Sequence, residues 1–501
     1  MQETAVPATP VDFWTALAAF VGFLAVLVAI GAYTARFSSA GIGNYFVAGR
    51  KMSRLVTALS AVVSGRSVWV LLGVTGIAYM EGASALWAIV GYTVVEFFLF
   101  LYYAPRLRRM AGAHDCVTLP DFFAARLGDG DRRVEGLLRA ALALVLLLFM
   151  TAYVSSQFVG GGKAVGVSFG IGEEWGILIT AVVVLLYTVV GGFLAVSLTD
   201  TLQAFFMFFA LVLLPVVLIS AGGGWGPVMG ELAAYEPGFA DPLALGLGAF
   251  LAHVGIGLGS PGNPHILVRY LAISDAAQFR WAAYVGTFWN VVMGVGAVLV
   301  GIAGRAFVPE VGMLPNADEE TLLPVLAEMH LPAILFGMIV ASIFAAIMSS
   351  ADSQLLVAAS SVVRDVYQKV LRRDEEVPQR FLVLLSRVIV TILVVAALIM
   401  GFLAEELVFW LVLFAWAGLG AALGPTMILA LYWRRTTAAG VVAGIAVGTG
   451  ATFLWNLHPS LDLYELIPAF FLGLAATVVV SLLTRAPSST ERDFRIMAGD
   501  E

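Results

Sequence analysis

Apolar runs near the ~20 residues needed to cross a bilayer recur along the whole chain, separated by short polar turns. Thirteen can be read (spans 1 to 13), at 12–34, 54–79, 84–104, 138–160, 174–193, 200–221, 243–261, 282–304, 332–352, 382–402, 406–432, 438–456 and 464–484. Two of them are interrupted. Span 2 carries Ser64-Gly65 in its middle, and span 7 reads HVGIGLGSPGNPHI, with Gly255, Gly257, Gly259, Pro261, Gly262 and Pro264 where a helix should continue. Glycine and proline disfavour a continuous helix, and backbone groups freed at membrane depth persist only where they are buried in protein or line a wet cavity. Spans 2 and 7 lie five apart. Two broken helices at matching positions of two five-helix halves predict an inverted-repeat transporter with its site near the bilayer midplane. Ordinary kinks with close glycine packing are the plainer alternative.

Composition agrees with a membrane protein: 60% of residues are hydrophobic and 12% charged, with a mean hydropathy of +0.95, far from a soluble domain. The predicted organisation is one all-α membrane domain over 1–501. An extra N-terminal helix at 12–34 precedes a first repeat at 54–221 (spans 2–6) and a second at 243–432 (spans 7–11). Two C-terminal helices at 438–484 and a short polar cytoplasmic tail at 485–501 follow. The longest polar stretches, near 105–137 and 364–381, read as inner loops whose charges decorate solvated helix ends. Residues 1–12 lack the basic n-region and cleavage site of a signal peptide, so span 1 is expected to be retained. Cys116 is the one cysteine, which excludes a disulfide framework within the chain.

Charge placement sets direction. With the N-terminus outside, 24 of the 27 Lys and Arg fall on the inner side, Arg269 and Arg280 among them, against Lys163 and Arg305 outside. So uneven a split predicts an N-out, C-in protein. The net charge of −7 sits on loops and says little about partners; the lipid bilayer is the surrounding partner, and nothing points to nucleic acid or to an obligate protein partner.

Arg66 is the one basic residue left within a span, in ALSAVVSGRSVWVLLG. A guanidinium cannot lose its proton, so in hydrocarbon it must face a bundle interior and find a carboxylate, an anionic ligand or water. Span 9 supplies cation chemistry of the opposite kind. Small hard cations take oxygen ligands from carbonyls, hydroxyls and carboxylates. Spacings of three and four put Ser349, Asp352 and Ser353 on one helix face, with Ser350 beside them. Serines in membrane helices often bond only their own backbone, but a buried Asp in the same turn favours a site.

Six segments carry a resemblance: GNYFVAGRKMSRLVTALSAVVSGRSVW, TLPDFF, VVGGFLAVSLTDTLQAFFM, GNPHILVRY, IFAAIMSSADSQLLVAASS and FAWAGLGAALGPTMILALYW. In order and register from about Gly43 to Thr484, they resemble the sodium:solute symporter family, most of all its bacterial proline carriers. The resemblance implies an all-α integral membrane protein of about 13 transmembrane helices, with a five-plus-five inverted-repeat (LeuT-type) core whose broken helices are 2 and 7. It implies cation-coupled, most simply sodium-coupled, uptake of a small organic solute such as proline by alternating access. Carried over residue by residue, its main sodium site falls on Val63, Arg66, Ala346, Ser349 and Ser350. A second site of some members falls on Asp352, Ser353 and Asp200. Substrate positions fall on Arg66, Ser67, Trp69, Ile256, Ser260 and Pro264.

Departures from the pattern matter as much. Where the proline carriers have Asp-Met, this chain has Gly65-Arg66, so a sodium-linked carboxylate is absent and a permanent positive charge present one residue on. Aromatic positions tied to proline binding align with Ile256 and Ser260, and Asp352 replaces a serine. Three readings of Arg66 follow. It pairs with Asp352 or Asp200; it stands in for a sodium ion and repels one; or it grips a substrate carboxylate bidentately. The last two would make the protein a sodium-independent or proton-coupled carrier of an organic acid. Glu96 and His253 are the titratable groups within spans that would serve proton coupling, and Trp69, Trp410, Trp416, Tyr153 and Gln157 are further pocket candidates. A solute sensor on a transporter fold is the rival from another class. An enzyme is not expected: the HExxH, CxxC and P-loop patterns are absent.

Overall fold

The structure, a computed structural model, describes residues 12–500 apart from 39–40, 237, 374, 405–406 and 459–462. The signal-peptide reading of 1–12 therefore falls almost wholly outside the described residues. Ten helical runs among the described residues are long and apolar enough to cross a membrane. One of them, Arg54–Ala113, holds spans 2 and 3 and is interrupted at Gly82, whose φ is 68°. The helix Glu173–Ala221 holds spans 5 and 6 and breaks at Gly192 (φ 63°, ψ −176°). Span 7 is too fragmented to count as one run: it is divided into Leu247–Gly255 and Pro264–Ala272. Resolved this way, the helices account for all the predicted spans, and the described residues hold no strand beyond an isolated bridge between Met52 and Ile273.

Local chemistry starts several helices where the sequence places them. Ser53 caps span 2 by accepting from Val56 N, and Asp131 caps span 4 by accepting from Arg133 N. Thr118 and Thr437 cap Leu119–Leu127 and Ala438–Leu457 in the same way, each satisfying one orphan donor of the first turn.

Span 2 breaks at Ser67, not at Ser64-Gly65: Ser67 has φ 49° and ψ −171°, followed by a wide helical turn over Trp69–Val74. The freed donors are met locally. Val68 N donates to Gln157 Oε1 at 3.2 Å and Trp69 N to Ser67 Oγ at 3.1 Å, as backbone at membrane depth requires. In span 7 a tight turn over Ile256–Gly262 leads into extended Asn263 (φ −93°, ψ 103°), and Pro264 opens the next half. Its glycines also serve close packing. A Cβ at Gly257 would lie 2.3 Å from Gly91 O of span 3, and one at Gly259 1.9 Å from Trp416 Nε1 of span 11. Gly257→Ala must therefore push span 3 away, costing about 1–3 kcal/mol or more. A thermal unfolding midpoint in detergent that falls by several degrees is the expected result.

Span 9 (Ala333–Ser360) is the central post, buried at every residue from Ile339 to Ser360 and packed on spans 1, 2, 4 and the 5–6 helix. Spans 12 and 13 pack on each other beside span 11. The polar stretches are more ordered than solvated loops. Span 9 continues helically to Leu371 and residues 490–498 form a helix packed on Ala104–Ala113. Arg126 and Arg139 are buried. Asp121 takes bonds from both Arg139 and Arg364. Burial alone would raise the Asp121 carboxyl, but the guanidinium groups of Arg364 and Arg139 outweigh it and hold it below its ordinary value.

Candidate functional site

The turn of span 2 just before its break lies against the serines of span 9, and the two helices exchange bonds there. Ser349 Oγ lies 3.0 Å from Ala346 O and 3.4 Å from Val63 O, while Ser350 Oγ donates to Ser64 O at 2.9 Å. Ser64 Oγ in turn donates to Ser349 O at 2.9 Å. Three of the five predicted main-site positions, Val63, Ala346 and Ser349, thus converge through carbonyl and hydroxyl oxygens, and the hydroxyl of the fourth, Ser350, meets span 2 one residue on, at Ser64; all are buried. That donor set suits an alkali cation. The fifth, Arg66, contributes a carbonyl that already accepts from Trp69 N at the end of the helix.

The side chain of Arg66 points elsewhere. Its guanidinium pairs with Glu96 of span 3, not with Asp352 or Asp200. Arg66 Nε donates to Asn290 Oδ1 at 2.9 Å, and Asn290 Nδ2 donates to Glu96 Oε2 at 2.8 Å, closing a ring of three side chains. Ser260 Oγ adds a fourth contact, 3.3 Å from Glu96 Oε1, and the Tyr92 ring lies 3.6 Å from the guanidinium carbon. Arg66 is 1% exposed and Glu96 2%. A buried pair survives only when its remaining donors and acceptors are met, and here Asn290, Ser260 and the tyrosine face meet them. The ring joins spans 2, 3, 7 and 8. A Cβ at Gly65 would lie 3.8 Å from Glu96 Oε1, so the carboxylate missing from position 65 has a neighbour in span 3 standing beside the same backbone.

A second buried guanidinium corrects the charge map drawn from sequence. Arg269, assigned to an inner loop, is 0% exposed. Its Nη2 bonds Asp200 Oδ2 at 3.0 Å and also Ser353 Oγ; its Nε donates to Ser60 Oγ at 3.0 Å; its Nη1 reaches His265 O. The Phe193 ring, next to the Gly192 break, lies 5.1 Å from its guanidinium carbon. Asp200 Oδ2 also accepts from Ser60 at 2.5 Å, and Asp352 Oδ1 accepts from Ser353 Oγ at 3.0 Å. The three predicted second-site residues, Asp352, Ser353 and Asp200, are therefore gathered around an arginine that the sequence reading did not place there.

The predicted substrate positions divide. Trp69 stacks on Phe409 (centroids 5.7 Å apart) and meets Tyr92 edge-on at 6.0 Å, with its indole N–H buried and without a hydrogen-bond partner. Ser67 Oγ accepts from Trp69 N at 3.1 Å. The carbonyl of Ile256 accepts from Trp416 Nε1 at 2.9 Å. Ser260 belongs to the Arg66 ring, and Pro264 lines a crevice with Thr118, Phe193 and Ser360. Trp410 is half exposed, and His253, in the last helical turn before the span 7 break, bonds Ala249 O and Glu81. Tyr153, edge-on to His265 at 5.5 Å, and Gln157, which holds Val68 N, sit at the break itself. Their signal in the sequence was their polarity on the apolar span 4.

Comparison with known proteins agrees with this architecture. Residues 45–448 match the model of the sodium:solute symporter family. The osmoregulated proline transporter OpuE of Bacillus subtilis is 36% identical over 95% of this chain and 96% of its own length. The high-affinity proline transporter PutP of the same organism is 37% identical over 92% and 97%. The sodium/proline symporter of Staphylococcus aureus is 35% identical over 95% and 94%. Among solved structures, a substrate-bound, outward-open Na+-coupled sialic acid symporter superposes with a TM-score of 0.81 at 17% identity, covering 95% of this chain and 99% of that one. The fold is therefore the five-plus-five inverted-repeat class, with its two broken helices at spans 2 and 7. The chain is a multi-pass membrane transporter, not an enzyme, and it belongs to the sodium:solute symporter family.

Proposed function

We propose that the protein is a sodium-coupled importer of proline or a closely related small amino acid, set N-out and C-in in a bacterial inner membrane. The observation that carries this reading is the pairing of Arg66 with Glu96. With its charge neutralised inside the ring of spans 2, 3, 7 and 8, the arginine no longer repels a cation at the oxygens of Val63, Ala346, Ser349 and Ser350. Sodium is the cargo ion that this donor set fits. The relatives named as proline transporters support the substrate class, and the positive-inside pattern supports the direction. Spans 54–221 and 243–432 are the two repeats in this reading.

The geometry also supports a division of labour during alternating access, in which one set of helices moves against another around a fixed site. The Arg66 ring keeps spans 2, 3, 7 and 8 together. The sodium oxygens instead bridge span 2 to span 9, so an ion bound there fastens the broken helix to the central post. A sodium-independent acid carrier would need the Arg66 fork free for a ligand, and the closed ring disfavours that reading. Uptake of labelled proline into proteoliposomes, with a panel of unlabelled amino and organic acids as competitors, tests the assignment. Proline and its close analogues are expected to compete best; transport of an organic acid with no inhibition by proline would overturn it.

A further inference from the structure

Arg269 stands in a different relation to its surroundings from Arg66. The Arg66 ring is balanced, one guanidinium to one carboxylate. Around Arg269 two carboxylates, Asp200 and Asp352, are each 0% exposed, and Asp352 lies within Coulombic reach of both Asp200 and Arg269. With both carboxyls ionised, as a bound cation would keep them, and one guanidinium between them, the cluster carries a net charge of −1. One oxygen of each carboxylate, Asp200 Oδ1 and Asp352 Oδ2, is buried without a hydrogen-bond partner. An uncompensated buried charge and two unmet acceptors are both costly, and a single monovalent cation held by those oxygens would answer both. Arg269 meanwhile holds Asp200 Oδ2, Ser353 Oγ and Ser60 Oγ.

We propose that Arg269 is a tethered cation that limits this cluster to one weakly held sodium ion. It is a specificity-determining residue for coupling: its fixed charge fills the place that a further or tighter ion would take. The bonds of Arg269 run from span 7 to spans 2, 6 and 9, so the tether also lies across the boundary between the broken helices and the central post. The inference rests on the sodium-coupled reading above.

The test is the sodium dependence of labelled-proline binding and uptake by the full-length protein in proteoliposomes. Removing a charge from the cluster while keeping hydrogen-bonding capacity, as in Arg269→Gln, should lower the sodium midpoint roughly tenfold, since two cations ~4–6 Å apart repel by several kcal/mol at an intermediate dielectric. Arg269→Lys, which keeps the charge, should stay within about threefold of the wild type. The double variant Arg269→Gln/Asp352→Asn restores the net charge of −1 and serves if the single variant does not fold; its midpoint should also stay within about threefold of the wild type. A midpoint in Arg269→Gln that is unchanged or higher would overturn the inference, as would loss of sodium dependence in the double variant. A wild type with no sodium dependence would instead overturn the functional reading itself, so the two failures are distinguishable.

Discussion

Truncating either Arg66 or Glu96 to alanine is expected to destabilise the protein by roughly 3–5 kcal/mol, and truncating both by clearly less. The reason is the asymmetry of a buried pair. Each single change strands the other charge, Glu96 at 2% exposure or Arg66 at 1%, in a site from which water is shut out. The double change removes both charges and leaves Asn290 and Ser260 to bond each other or their own helices. Thermal or denaturant unfolding of the four proteins in one detergent gives the coupling energy of the cycle directly. A parallel cycle of Arg66 with Asp352 should show coupling within about 0.5 kcal/mol, the additivity expected of separate sites. Strong coupling there and none with Glu96 would restore the pairing expected from sequence. Uptake should fall in both single variants and recover in part in the double, because the ring holds spans 2 and 7 in register.

The helices and the two broken spans were legible because hydrocarbon leaves the chain few options: a stretch of apolar residues must satisfy its backbone internally, and a cluster such as Gly257, Gly259, Pro261 and Gly262 cannot do so as one helix. The span 2 break lies two residues beyond Gly65, at Ser67, whose side chain carries no sign of a positive φ. Its conformation is held by tertiary bonds, Gln157 to Val68 N above all, and these are invisible along the sequence.

Depth and partnership were the harder parts. Arg269 was read as an inner-side charge because it lies just past the interrupted stretch of span 7, where a hydropathy count ends. The tight turn over Ile256–Gly262 and the restart at Pro264 carry it back into the core. The charge of Arg66 was legible, but its partner was not. Spacing along one helix says which residues share a face, not which other helix that face meets, so Glu96 stood out as a titratable group without its arginine. The shared face of Ser349, Asp352 and Ser353 was legible because they lie three and four residues apart on one helix.

Removing the span 9 hydroxyls is expected to have the largest effect on coupling. Ser349 Oγ touches Val63 O and Ser350 Oγ touches Ser64 O on span 2, so Ser349→Ala or Ser350→Ala would take one proposed ligand from the ion and one tie between spans 2 and 9. The loss of a hydrogen-bonding group to a charged partner, about 1.5–3 kcal/mol, corresponds to a sodium midpoint raised roughly 10–150-fold, with proline affinity at saturating sodium little changed. The direct measurement is labelled-proline uptake into proteoliposomes as a function of sodium, for the wild type and both serine variants. Wild-type uptake is expected to require sodium although Arg66 is present, with midpoints shifted far upward in both variants. Wild-type uptake indifferent to sodium, or midpoints unmoved by both substitutions, would contradict it.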